Sequence, residues 1–203
     1  NTRRKQVPTA SYGTLFDSRD EWTLDRGGFL AWTYDQPLAN GGLLHSSVSY
    51  NKLDYDGNFP YAEGAIWDST KAEWWSAGLQ FTRPFGARHR LIAGADYAYK
   101  SQMYLGTGLA GAIPDLDEER RGHNWAAYAQ DEFHIGKHVI VNAGVRHDRY
   151  ETFGGTTNPR LGVIVIPDRK SALKLLYGSA FRAPNAYELY YNDGGRTQKA
   201  SSG

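Results

Sequence analysis

The stretch Val139-Ile140-Val141-Asn142-Ala143-Gly144-Val145-Arg146-His147-Asp148-Arg149-Tyr150 decides the fold. Val139, Val141, Ala143 and Val145 share one parity, and Asn142, Gly144, Arg146 and Asp148 share the other. A β-strand throws alternate residues to opposite faces, so this segment has one apolar face and one face of charges, amide and bare backbone. The second face is a poor core. It suits the wall of a wet interior, with the apolar face turned to lipid.

The same alternation recurs on either side. Trp22, Leu24, Leu30, Trp32 and Tyr34 oppose Thr23, Asp25, Gly27, Thr33 and Asp35. Leu91, Ala93, Ala95, Tyr97 and Tyr99 oppose Arg90, Gly94, Asp96, Lys100 and Gln102. The pattern predicts about eight strands, near 21–36, 43–55, 71–84, 89–103, 121–134, 138–150, 158–166 and 171–182. Several exceed the usual ~5–6 residues of a globular strand and reach the ~9–11 that cross a bilayer at a tilt. Connections alternate in length. Those at 37–42, 85–88, 135–137 and 167–170 are short, those at 56–70 and 104–120 are long, and 151–157 is moderate. Membrane barrels segregate short and long connections to opposite ends, with the short turns in the periplasm. The expected fold is therefore all-β, an antiparallel up-and-down transmembrane barrel. Residues 1–20 are read as polar loop or partial strand, 21–182 as barrel strands, and 183–203 as an incomplete extracellular loop.

Composition agrees. The chain has 203 residues, a net charge of +1 and no cysteine, which excludes disulfides and thiolate metal sites and gives no pull toward nucleic acid. Mean hydropathy is −0.60. No apolar run approaches the ~20 residues of a membrane helix. Six Trp and fourteen Tyr stand against one Met. Rings with one apolar and one wet end suit the aromatic girdles of a barrel.

Three motifs, in order, carry a resemblance. Tyr128-Ala129-Gln130-Asp131-Glu132-Phe133 is followed by Asn142-Ala143-Gly144-Val145-Arg146-His147-Asp148. Then come Asn158-Pro159-Arg160-Leu161-Gly162, and Phe181-Arg182-Ala183-Pro184 with Glu188-Leu189-Tyr190. Over this third of the chain the sequence resembles TonB-dependent outer-membrane receptors. The resemblance implies about eight strands of a barrel of about 22. It also implies an N-terminal plug that engages TonB, active uptake of a scarce substrate such as a siderophore-iron complex or corrinoid, and no catalytic role or cofactor. The chain is expected to be an internal portion of such a barrel in the Gram-negative outer membrane. Its partners would be lipid, the TonB complex and a small-molecule or metal-chelate substrate. A complete eight-stranded barrel with a structural or adhesion role is the alternative. A soluble β-barrel binding protein is a third reading.

Structural roles are expected for Gly144, Arg146, Asp148, Asn158, Pro159, Arg160, Phe181, Arg182, Pro184 and Glu188. Pro159 has no N–H to give a ladder and belongs at a strand start. Arg146, Asp148 and Arg160 would join a charge network inside, and Pro184 would end its strand.

Other chemistry is poorly supported. Gly106-Thr107-Gly108-Leu109-Ala110-Gly111 has the dinucleotide spacing, but Ile113-Pro114 follows where a helix is required. Asp54 to Asn58 starts like a calcium loop, then places Phe59 at the glycine position and Ala65 at the bidentate glutamate position. Asp115, Asp117, Glu118 and Glu119 are followed directly by Arg120 and Arg121. The six histidines lack zinc-hydrolase spacing, and no serine sits in a nucleophile elbow. Ligand contact is assigned to loop aromatics instead: Phe59, Tyr61 and Trp67 in one loop, Tyr187, Tyr190 and Tyr191 in another.

Overall fold

The computed structural model describes residues 2–7, 10 and 13–192. Nine strands form one sheet in chain order, each antiparallel to the next. They are β1 (Thr2–Gln6), β2 (Trp22–Leu38), β3 (Gly42–Tyr61), β4 (Gly64–Phe85) and β5 (His89–Leu109). Then follow β6 (Leu116–Ile135), β7 (Val139–Tyr150), β8 (Gly154–Val165) and β9 (Leu173–Gly178), and a short helix α1 (Ala186–Tyr190). The sheet is an open ladder whose β2 edge is covered by β1 only from Trp22 to Arg26.

Residues 2–6 form β1, a partial strand within the segment read as polar loop or partial strand, and bring the ladder to nine strands against the expected eight or so. The structure departs from the sequence reading in three places. The long connections at 56–70 and 104–120 are mostly strand. β3 runs to Tyr61 and β4 starts at Gly64, while β5 runs to Leu109 and β6 starts at Leu116. Their polar, glycine-rich composition hid them, because these extensions have water on both faces and no apolar alternation to show. Pro159 lies inside β8, which starts at Gly154. It is tolerated there because the β8–β9 ladder ends at Arg160↔Gly178, one residue short of the missing N–H, and the Pro159 carbonyl accepts from Ser179 N at 3.2 Å. Finally, the last strand spans 173–178 rather than 171–182, and 186–190 is helix rather than loop. Residues 193–203 of the expected loop lie outside the described residues.

Pairing confirms the two faces. The row Trp32↔Val48↔Ala77↔Tyr97↔Trp125 and the next row, Leu30↔Tyr50↔Trp75↔Tyr99↔His123, lie on one face. Trp32, Trp75, Tyr97 and Trp125 are all exposed there. From Trp75 to the end of β4 at Phe85 are about ten residues, the crossing length of a tilted strand. The other side of the row extends about as far again, to Gly64. The register slips at this level, between Lys100 and Met103, where Ser101 Oγ donates to the Glu73 carbonyl at 3.1 Å. A bulge here bends the projecting part of the ladder away from the lower part.

The short turns are tight. Gly86 and Gly136 take φ of 62° and 64°, a left-handed conformation that a side chain would strain. Close packing explains another glycine on the polar face: a Cβ at Gly94 would sit 2.7 Å from the Leu79 carbonyl and collide with Tyr128.

Candidate functional site

Two assemblies occupy the polar face. The lower one is a charge network. The register sets Asp96, Ala126 and Asp148 in one row and Gly94, Tyr128, Arg146 and Asn158 in the next. Arg146 Nη1 donates to Asp96 at 2.7 Å, and its Nε donates to both oxygens of Asp148 at 3.0 and 3.1 Å. The guanidinium lies 5.5 Å from the Tyr128 ring centre, and Tyr128 donates to Gln80 at 3.1 Å. Asp35 and His45, 2.6 Å apart, continue the row. Gly144 sits opposite Arg160, and a Cβ there would press within 3.1 Å of the Ala129 carbonyl. Arg160 therefore has a flat neighbour and, among the described residues, no ion pair. Arg146 thus bridges Asp148 and Asp96, the second a partner that parity alone had not singled out.

The upper assembly is built by the segment after β9, folded back over the polar face of the projecting hairpins. Phe181 packs against Tyr150 and Phe153 of the β7–β8 hairpin, with ring centres 6.0 and 5.8 Å away. Arg182 then grips Glu188 with two parallel bonds of 2.8 Å. Asn185 caps α1 by accepting from Glu188 N at 2.8 Å, and Glu188 accepts from Asn185 N at 2.9 Å, which is a reciprocal capping box. Arg182 and this box hold the Glu188 carboxyl down to about 2. The spacing of Phe181-Arg182-Ala183-Pro184 to Glu188 thus has a local physical cause. Asn185-Ala186-Tyr187-Glu188 carries the N-cap signature in sequence, and that signal could have located the helix.

Tyr191 anchors the segment. It is 8% exposed, clusters with Leu105 and Leu116, and donates to Asp68 at 3.1 Å. Burial raises its hydroxyl above the usual tyrosine range, so it stays protonated and a donor. Tyr187 stacks on Tyr191 at 4.2 Å, and the Arg120 guanidinium lies 4.2 Å from the Tyr190 ring centre. Asp68 was not singled out from sequence, and Arg120 was read only as neutralising the acids beside it, since nothing local marks either as a partner of a segment so far along the chain.

The six expected ligand aromatics are thereby sorted. Tyr187, Tyr190 and Tyr191 come together over the polar face. Phe59 and Tyr61 share that face at the tip of the β3–β4 hairpin, where Phe59 pairs with Ile66. Trp67 lies on the opposite face, against Gly106. The glycines of the dinucleotide-like motif have a packing role. A Cβ at Gly106 would meet the Trp67 ring at 2.9 Å, and one at Gly108 would meet Pro114 at 2.9 Å. Among the described residues no three acidic or histidine side chains are grouped to hold a metal.

A long antiparallel ladder with a lipid-compatible aromatic face, a charged inner face and a structured mouth defines the wall of a large membrane β-barrel of receptor type. The family model described as TonB dependent receptor-like, beta-barrel, matches residues 1–203. The chain belongs to that family. No curated protein and no solved structure matches it.

Proposed function

We propose that this chain is part of the wall and mouth of a receptor that takes up a scarce, bulky substrate across the Gram-negative outer membrane. The observation that carries the reading is the aromatic assembly over the polar face at the projecting end, held in place by Tyr191 and the Arg182–Glu188 clamp. The substrate is a ferric siderophore, a corrinoid or a similar amphipathic chelate, held by stacking and apolar contact. Tyr187 is 46% exposed and, with Phe59, Tyr61 and Tyr190, offers ring surface; Tyr191 serves as the anchor beneath them. Trp67 is assigned to packing. A plug domain fills the barrel and couples it to TonB. Arg160, lacking an ion pair among the described residues, would meet a plug carboxylate. Lipid covers the aromatic face.

The test is ligand binding by the full-length receptor in detergent, using a panel of ferric siderophores and corrinoids. The triple variant Tyr61→Ala, Tyr187→Ala, Tyr190→Ala is expected to bind its preferred compound at least tenfold more weakly, with the barrel still folded. Unchanged affinity would remove these residues from the site.

A further inference from the structure

The short-turn end gathers exposed cations beside exposed apolar side chains. Arg88, Lys137, Arg169 and Lys170 stand exposed on three consecutive turns. Among the described residues none of the four takes part in an ion pair. At the projecting end Arg26, Lys52 and Arg120 are paired with Asp56, Glu73 and Glu118, while Lys71 and Arg121 are, like the turn cations, without an ion pair among the described residues. The nearby acids at the short turns are already engaged. Asp131 contacts His89 at 2.6 Å and Glu132 contacts His134 at 2.9 Å. Asp168 accepts from Lys170 N at 2.7 Å, so its carboxylate is turned to the backbone.

Each of these turns also exposes an apolar side chain within three residues of a cation. These are Phe85 at 62%, Ile135 at 49% and Leu173 at 69%, all on the aromatic face by register. Successive turns are two strands, roughly 10 Å, apart. A soluble polyanion would satisfy the cations and leave the apolar residues in water. A bilayer edge satisfies both, with acyl chains against Phe85, Ile135 and Leu173 and phosphates against the turns.

We infer that this rim is a binding surface for anionic phospholipid headgroups of the inner leaflet. The inference rests on the membrane reading above. Cations at such a surface contribute roughly fivefold each to association.

The test uses the full-length receptor in nanodiscs of mixed phosphatidylglycerol and phosphatidylcholine, with retained lipids counted by native mass spectrometry. The wild type is expected to retain phosphatidylglycerol at least tenfold over its share of the disc. The variant Arg88→Gln, Lys137→Gln, Arg169→Gln, Lys170→Gln is expected to lose that enrichment. The variant Arg90→Gln, Lys174→Gln, whose cations lie on the polar face by register, is expected to keep it. Equal enrichment in wild type and quadruple variant overturns the proposal. So does absence of enrichment combined with poly-glutamate binding that the quadruple variant loses, which would assign the rim to an acidic polypeptide. A full-length protein that never enters discs fails the membrane reading itself, a result distinct from either.

Discussion

A few side chains turn a loop into a fixed mouth. Glu188 shows how. Its carboxylate serves three donors, two from Arg182 and one from the Asn185 backbone, and all three need it ionised. Its pKa falls from the ordinary 4.5 to about 2. A depressed carboxyl contributes stability that is fully present above its unfolded value and is lost as pH falls through the folded one. The clamp is therefore expected to hold above about pH 4.5 and to open as pH approaches about 2. Pepsin, which works across that window, gives the readout. Cleavage within 182–192 should rise sharply toward pH 2 in the wild type, whereas Glu188→Gln should be cut at every pH tested. A wild-type segment that stays resistant at pH 2 would show that Tyr191 alone holds it. Arg182 and Glu188 were visible in the sequence as a family motif, while their pairing was not, because the five intervening residues must first turn through Pro184 and the capped helix.

Strands were legible wherever an apolar face backs a polar one. The strand expected at 138–150 is β7 to within one residue, and its parity put Arg146 on the polar face. Above the aromatic rows the signal fails, since both faces of the β3–β4 and β5–β6 extensions are wet and the residues there need not alternate. Ser101 adds a second obstacle. The polar face takes Asp96, Ala98 and Lys100 below the bulge but Met103, Leu105 and Thr107 above it, so even positions give way to odd ones. A shift in pairing by one residue normally sends every side chain to the wrong face. Removing the extra residue of a bulge does not. Deletion of Ser101 is thus expected to preserve assembly, seen as the heat-modifiable mobility of a folded barrel, at a cost of about 1 kcal/mol from the lost hydroxyl bond. Deletion of Ala77 in the regular part of β4 is expected to abolish that mobility. Equal behaviour of the two deletions would contradict the assigned register.

For the whole molecule, the aromatic face is expected to stand against lipid, and two adjacent residues test this. Trp75 lies on the aromatic face beside Tyr50, with ring centres 5.0 Å apart, while Trp74 pairs with Asn51 and Lys100 on the polar face. In full-length receptors carrying a single tryptophan, brominated phospholipid is expected to quench Trp75 fluorescence strongly and to leave Trp74 nearly unaffected. Equal quenching would refute the two-faced wall. The sequence reading reached this orientation from parity and turn length together. It did not reach the height of the wall, because polar, glycine-rich segments read as loops.

That height bears on how the projecting hairpins would meet a protease. The hairpins rise along the strand roughly 35 Å beyond the aromatic rows, at about 3.3 Å per residue. A loop of such length holding Lys71, Arg120 and Arg121 would be an easy target for trypsin-like proteases, which need an extended, unpaired backbone to cut. In this protein Lys71 is paired on both sides of its strand and Arg120 on one, while Arg121 falls at the bulge. A protease that reaches Lys71 meets a basic side chain on a backbone already bonded on both sides.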